Sequence, residues 1–281
     1  MPTAEIVERS VRGTILTERR VGSGPPVVVL HGGPGASFDY LLPGFDALAT
    51  GRALIYYDQR GGGRSPIPRE QMVTWQDHVA DLDALRERWG ESRLAILGYS
   101  WGGLLAQLYA TEHPDRVERL GLVCAAPSWR AARDDFERRF AKRNLAPEVQ
   151  SERQRLRESD LRVRDPAAFQ RRMFELSVVA YFHDPEKARD LTAFRVVGRV
   201  QQETWNSLGD YDLRPSLEKL RGIPALVVHG TDDPIPLYAS EETARRLGAP
   251  LTVIERSGHC PHVERPDEFV RVLDNFLPRL A

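Results

Sequence analysis

Gly98-Tyr99-Ser100-Trp101-Gly102-Gly103 decides how the rest of this chain is read. Before it, Arg93-Leu94-Ala95-Ile96-Leu97 has the continuous apolarity of a short buried strand. After it, Leu104-Leu105-Ala106-Gln107-Leu108-Tyr109-Ala110 has the composition of a helix with almost no polar face. The serine therefore stands on a sharp strand-to-helix turn. Glycines at 98 and 102 flank it because the backbone there comes too close for side chains. Such a turn lifts the hydroxyl to the tip of a sheet, above a helix N-terminus. The bland alternative is an ordinary turn that happens to contain serine; the strand before and the helix after argue against it.

Working outward, apolar runs recur with amphipathic stretches between them. They are Val27–Leu30, Ala53–Tyr57, Leu94–Leu97, Leu120–Cys124, Ala225–Val228 and Leu251–Ile254. Strands apolar throughout are buried on both faces, which predicts an α/β chain with a mostly parallel sheet flanked by helices. Trp75 to Trp89 places Val79, Leu82, Leu85 and Trp89 on one helical face. Ile6 to Val21 alternates as an antiparallel hairpin at the sheet edge. A last helix starts near Pro266, a favourable first residue, and turns Phe269, Val272, Leu273 and Phe276 inward. Between about Ser128 and Pro215 the pattern breaks. No buried strand appears, and residues 128–172 hold thirteen Arg and Lys against eight Asp and Glu among helix formers. The expected organisation is a core in two parts, 1–127 and 214–281, with an inserted helical cap at 128–213.

Composition narrows the class. Hydrophobic residues make up 41% of 281 and charged residues 28%, which supports a full core. A net charge of −1 gives no reason to expect nucleic acid or an anionic membrane as partner. The arginines of 128–172 are interleaved with acids and lack an aromatic stacking platform, so they read as a solvated helix surface. Met1–Glu5 has neither a basic nor an apolar leader segment, and no run of about 18 apolar residues occurs. Cys124 and Cys260 are the only cysteines, too few for a disulfide framework. A cytoplasmic protein is expected.

A serine hydroxyl is a poor nucleophile at neutral pH and needs a base, itself held by an acid. Both should lie at the ends of later strands. After Ala225–Val228 comes His229-Gly230-Thr231-Asp232-Asp233-Pro234. After Leu251–Ile254 comes Glu255-Arg256-Ser257-Gly258-His259-Cys260-Pro261-His262. Asp233, three residues past Gly230, is the expected acid, with Asp232 capping the turn. His259 is the expected base, because Gly258 lets its loop swing towards Ser100; His262 is the alternative, but it sits where the loop turns towards the final helix and reads rather as a surface or loop-anchoring histidine. The oxyanion of a tetrahedral intermediate needs donors too. Trp101 N–H, next to the serine, is one, and Gly33 N–H in His31-Gly32-Gly33-Pro34-Gly35 is the other. That Gly-rich loop lacks the Gly-Lys-Ser/Thr or G-x-G-x-x-G context of a nucleotide site.

His31-Gly32-Gly33-Pro34-Gly35, Asp58-Gln59-Arg60-Gly61-Gly62-Gly63-Arg64-Ser65, Gly98 to Gly103 and Ser257-Gly258-His259 together resemble the proline iminopeptidase group of α/β-hydrolases. The resemblance covers nearly all of the two core segments and thins in the cap. It implies the α/β-hydrolase fold and a serine peptidase that removes an N-terminal proline or small apolar residue through an acyl-enzyme, with neither metal nor cofactor. Its partner would be a short peptide or amino-acid amide. Members of the group hold the substrate ammonium with acidic side chains, for which Glu203 beside Trp205, and Glu175 ahead of Tyr181-Phe182, are the candidates. Trp205 is a candidate substrate contact. Asp58 and Arg60 are expected to hold neighbouring loops by charge-assisted bonds. The same machinery acting on small esters or lactones is the alternative reading. A hydrolase-fold protein that binds without turnover is a distant third, since every catalytic part is present.

Overall fold

In a computed structural model describing residues 4–280, the apolar runs become strands and the N-terminal hairpin adds two more. Met1, Pro2 and Thr3, on which the leader reading largely rests, lie outside the described residues. The strands are β1 (Glu5–Val11), β2 (Thr14–Gly22), β3 (Pro26–Leu30), β4 (Ala53–Tyr57), β5 (Leu94–Tyr99), β6 (Val117–Val123), β7 (Ala225–Gly230) and β8 (Leu251–Ile254). They form one sheet in the order β1-β2-β4-β3-β5-β6-β7-β8. β2 runs antiparallel to both neighbours, and the remaining pairs are parallel. β6 starts at Val117 and ends one residue short of Cys124, which leaves the sheet at φ 43°.

Helices α1 (Trp75–Trp89) and α2 (Trp101–Glu112) follow β4 and β5. α3 (Arg130–Asn144), α4 (Pro147–Glu158), the one-turn α5 (Leu161–Arg164), α6 (Pro166–Val178) and α7 (Gly198–Leu208) lie between β6 and β7. The one-turn α8 (Arg214–Leu217) precedes β7. α9 (Leu237–Leu247), the one-turn α10 (Pro261–Glu264) and α11 (Pro266–Asp274) complete the chain.

Period-two alternation sorts the strand residues into two core layers. Val28, Leu30, Ile96, Leu120 and Val227 pack with Leu82 and Leu85 of α1 and Leu104 and Leu108 of α2. Val27, Val29, Leu54, Tyr56, Leu97 and Val228 face the other way, against Phe38, Phe45, Leu48, Phe269 and Leu273. Local chemistry fixes the ends of α1: Thr74 and Asp77 form a reciprocal capping box, and Gly90 closes the helix at φ 74°. α2 is buried from Trp101 to Ala110, which explains its unpatterned apolarity. α11 buries Phe269 and Leu273; Val272 is half-buried and Phe276 falls just past its end. Among the described residues no helix is long and apolar enough to cross a membrane.

Candidate active site

Ser100 stands between β5 and α2 at φ 54° and ψ −121°, a left-handed conformation that a side-chain-bearing residue adopts only when its surroundings impose it. The surroundings do. Ser100 N–H donates to Val123 O at 3.1 Å, and Ser100 O accepts from Gly103 and Ala126 N–H. Gly102 is required by close approach, since a side chain there would run into the carbonyl oxygen of Leu30 on β3. The hydroxyl-bearing residue is left partly exposed at the sheet's tip.

The expected acid and base are adjacent. His259 Nδ1 lies 2.9 Å from Asp233 Oδ2 and 3.1 Å from Oδ1, both residues buried. Asp233 Oδ1 also accepts from Ile235 N–H at 2.8 Å. Burial alone would raise the Asp233 carboxyl, but the charge of and hydrogen bond from His259 outweigh it and hold Asp233 below the usual carboxylate range. The imidazole is flanked by Tyr181, with ring centroids 4.9 Å apart and nearly parallel, and by Phe136 at 6.5 Å. No hydrogen bond joins Ser100 Oγ to His259 among the described residues; such contacts commonly tighten only when substrate is bound.

Gly33 and Trp101 both line the cavity in front of Ser100. Neither backbone N–H donates to a protein acceptor among the described residues, as expected of a helix N-terminus and a loop at φ 58°. Fully buried Gln59 braces the two. Its Oε1 accepts from Trp101 Nε1 at 2.8 Å, its Nε2 donates to His31 O at 2.8 Å, and its N–H donates to His31 Nε2 at 3.1 Å. That assigns the His31 proton to Nδ1, which meets Gly32 O at 2.8 Å. Asp58 accepts from Phe38 N–H and from Arg64, while Arg60 grips Asp81 with two hydrogen bonds. These residues hold loops, as their charge pairing suggests.

The cavity measures about 330 Å³. Its far wall comes from Arg133, Phe136 and Glu137 of α3, and from Gln201, Gln202, Trp205 and Asn206 of α7. Arg133 and Glu137 are its only charged wall residues among the described ones, and they pair with each other. The Arg133 guanidinium also lies 3.9 Å over the Trp205 ring, which in turn meets Trp101 edge-on at 5.0 Å.

The two cap acids picked from sequence are elsewhere. Glu203 turns away, accepting from Val73 N–H at 3.1 Å and pairing with Arg199 at 3.0 Å. Glu175 is held by Arg171 and Arg172 at 3.1 and 2.9 Å. Neither lines the cavity, whereas Trp205 does. Proximity in sequence to Trp205 misleads because Glu203 lies two positions before it on α7, which turns the two side chains about 200° apart, on opposite faces. The spacing of Arg133, Phe136, Glu137 and Phe140 at i, i+3, i+4 and i+7 was the available signal for the missed wall.

Three further groups complete the surroundings. Cys124, Asp233 and His259 bring sulfur, oxygen and nitrogen donors within 4.8 Å of one another. Burial, then the charge of Asp233, pushes the Cys124 thiol far up, so it keeps its proton. With His259 Nδ1 already on Asp233, the cluster is better suited to a floor beneath the acid and base than to a cation. His262, the alternative base, lies buried behind Tyr99, and burial lowers it to about 3. His78 is likewise lowered to about 3 and meets Thr204 Oγ1 at 3.2 Å.

Known proteins share the fold and much of the length of this chain. A family model described as alpha/beta hydrolase fold matches residues 25–266. A proline iminopeptidase of Lactobacillus helveticus is 30% identical over 287 residues, covering 90% of each chain. One from Lactiplantibacillus plantarum is 32% identical over 281 residues, covering 90% of this chain and 91% of the other. A solved proline iminopeptidase-related protein of Thermus thermophilus superposes with a TM-score of 0.73 at 25% identity, over 98% of this chain and 97% of that one.

Proposed function

This chain belongs to the proline iminopeptidase group of the alpha/beta hydrolases, and from that premise we propose that it cleaves the amide bond after an N-terminal proline or small apolar residue. In this reading Ser100 Oγ attacks the scissile carbonyl. His259 takes the hydroxyl proton at Nε2 and returns it to the leaving amine. Asp233, kept ionised by its partners, fixes the imidazole tautomer and stabilises the imidazolium. Gly33 and Trp101 N–H groups receive the oxyanion; each such donor typically contributes about 2.7–4 kcal/mol to the transition state. Water then releases the acyl group.

The helices between β6 and β7 act as a cap, and their contribution is selection. Glu137 is the acid available to a substrate ammonium, replacing both Glu203 and Glu175 in that role. A cavity of about 330 Å³ takes one or two residues and not a folded chain. The observation that carries the reading is that Ser100 shares its cavity wall with Tyr181 and Phe136, the two rings that flank the imidazole of His259.

One observation favours the ester reading as a second. Glu137 is already paired with Arg133, and the α7 residues that line the cavity, Gln201, Gln202, Trp205 and Asn206, carry no charge. An acid so compensated attracts an ammonium less than a free one does. The test pairs turnover with labelling. Prolyl and alanyl aryl amides should be hydrolysed, and an aryl fluorophosphonate should modify Ser100 and abolish that hydrolysis together. Ester turnover without any amide turnover would leave the serine hydrolase and remove the peptidase.

A further inference from the structure

Glu264, on the one-turn helix α10 just past the base, accepts three backbone hydrogen bonds and belongs to no step of the mechanism above. Its Oε2 accepts from Gly258 N–H at 2.6 Å. Its Oε1 accepts from His183 N–H and Asp184 N–H, each at 2.9 Å. The first donor immediately precedes His259; the other two belong to the turn that follows α6. One carboxylate therefore joins the base turn to the cap turn.

The join is reinforced on both sides. His259 N–H donates to Tyr181 O at 2.6 Å, so the backbone of the base is itself bonded to the cap. Gly258 is a close-approach glycine: a side chain there would collide with Tyr181 O and with the His183 nitrogen. His183 Nδ1 also lies 2.7 Å from Asp232 Oδ2, on the turn that carries the acid. Tyr181 then places its ring over the His259 imidazole.

We propose that Glu264 is a positioning residue for the base: by bonding Gly258, His183 and Asp184 it sets the His259 imidazole and the Tyr181 wall as one unit. The proposal rests on the reading of His259 as the base. Charge-assisted bonds to three amides that have no other acceptor among the described residues are strong and directional. Without them the backbone of the 258–259 turn keeps, among the described residues, the bonds to Tyr181 and Tyr99 and a 3.3 Å bond from the neighbouring Ser257 Oγ to Gly258 O. A displacement of the base of about 1 Å is enough to cost on the order of 100-fold in rate.

The experiment compares Glu264→Gln, Glu264→Ala and His259→Ala in the full chain on a small aryl acetate, with thermal melts on each. A glutamine has one acceptor oxygen, so it satisfies either Gly258 or the cap turn but not both. It should fold even where alanine does not. The expected result is kcat reduced by about 3–10-fold in Glu264→Gln and by about 10–100-fold in Glu264→Ala. KM should stay within about twofold, and the rate of Ser100 phosphonylation should fall in step with kcat. A general loss of packing would not give that split. Folded Glu264 variants with wild-type kcat, or with losses confined to KM, would overturn the proposal while leaving an inactive His259→Ala as support for the base. A His259→Ala protein of undiminished rate would remove the base assignment and the proposal together.

Discussion

Ser100, Asp233 and His259 stand just past the C-terminal ends of β5, β7 and β8, in turns where backbone meets backbone. The cavity's far wall comes from α3 and α7, where side chains meet side chains. In the first region the neighbours dictate residue type: a side chain at Gly102 meets Leu30 O, and one at Gly258 meets Tyr181 O. In the second, charges neutralise one another locally, as Arg199 does Glu203, Arg171 and Arg172 do Glu175, and Arg133 does Glu137. In the proposed reading, catalysis belongs to the strand ends, and selectivity to the few charges that the helices leave facing the cavity.

The largest effects belong to the strand ends. Ser100→Ala and His259→Ala should each lower kcat by about 10⁴-fold or more with unchanged melting, measured on an aryl ester. A Ser100→Ala protein turning over at wild-type rate would end the mechanism. Gly102→Ala should cost about 3 kcal/mol or more, because the added methyl meets rigid backbone, the Leu30 carbonyl and the His31 oxygen; a denaturant midpoint equal to wild type would contradict the packing argument.

Substitutions in the helical region should divide by what they face. Glu137→Gln should raise KM for free-amine amides about tenfold and leave neutral esters within about twofold. Glu203→Gln should leave both KM values alone and cost about 1–2 kcal/mol through the Val73 and Arg199 contacts. Equal KM effects of the two variants would erase the distinction between an acid facing the cavity and one facing the scaffold.

The smallest effect tests the rejected base. His262 is held near 3 by burial against an ordinary value of 6.5, and neither ring nitrogen has a hydrogen-bond partner among the described residues. The unfolded chain therefore binds a proton between those values that the folded chain refuses. Its contribution to stability is complete above about pH 6.5 and is lost as pH falls towards 3, by about 1.4 kcal/mol per pH unit. His262→Leu should flatten that slope in pH-dependent melts between pH 6.5 and 5 and keep kcat within a few-fold. An unchanged slope would mean that His262 protonates in the folded state.

The comparison also explains which parts were legible. Strand runs such as Ala225–Val228, the Ser100 turn and the order Ser, Asp, His could be read directly, because burial on both faces and tight turns admit few residue types. The orientation of Glu203 could not, because it depends on Val73 and Arg199, more than a hundred residues apart in sequence. Gln59 shows the intermediate case. It stood in a quoted motif, yet its bridge from Trp101 to His31 emerges only when β3, β4 and β5 lie side by side. Glu137 was within reach through the helical spacing of Arg133, Phe136 and Phe140, and the clustering of arginines around it concealed the pattern.

In the proposed reading this hydrolase selects its substrates by their free amine. The most direct test is kcat/KM for prolyl aryl amide against the N-acetylated compound, in the wild type and in Glu137→Gln. The account predicts a preference of about 100-fold for the free amine, shrinking roughly tenfold in the variant. Equal hydrolysis of both compounds by the wild type would contradict it and leave a hydrolase that recognises no amine.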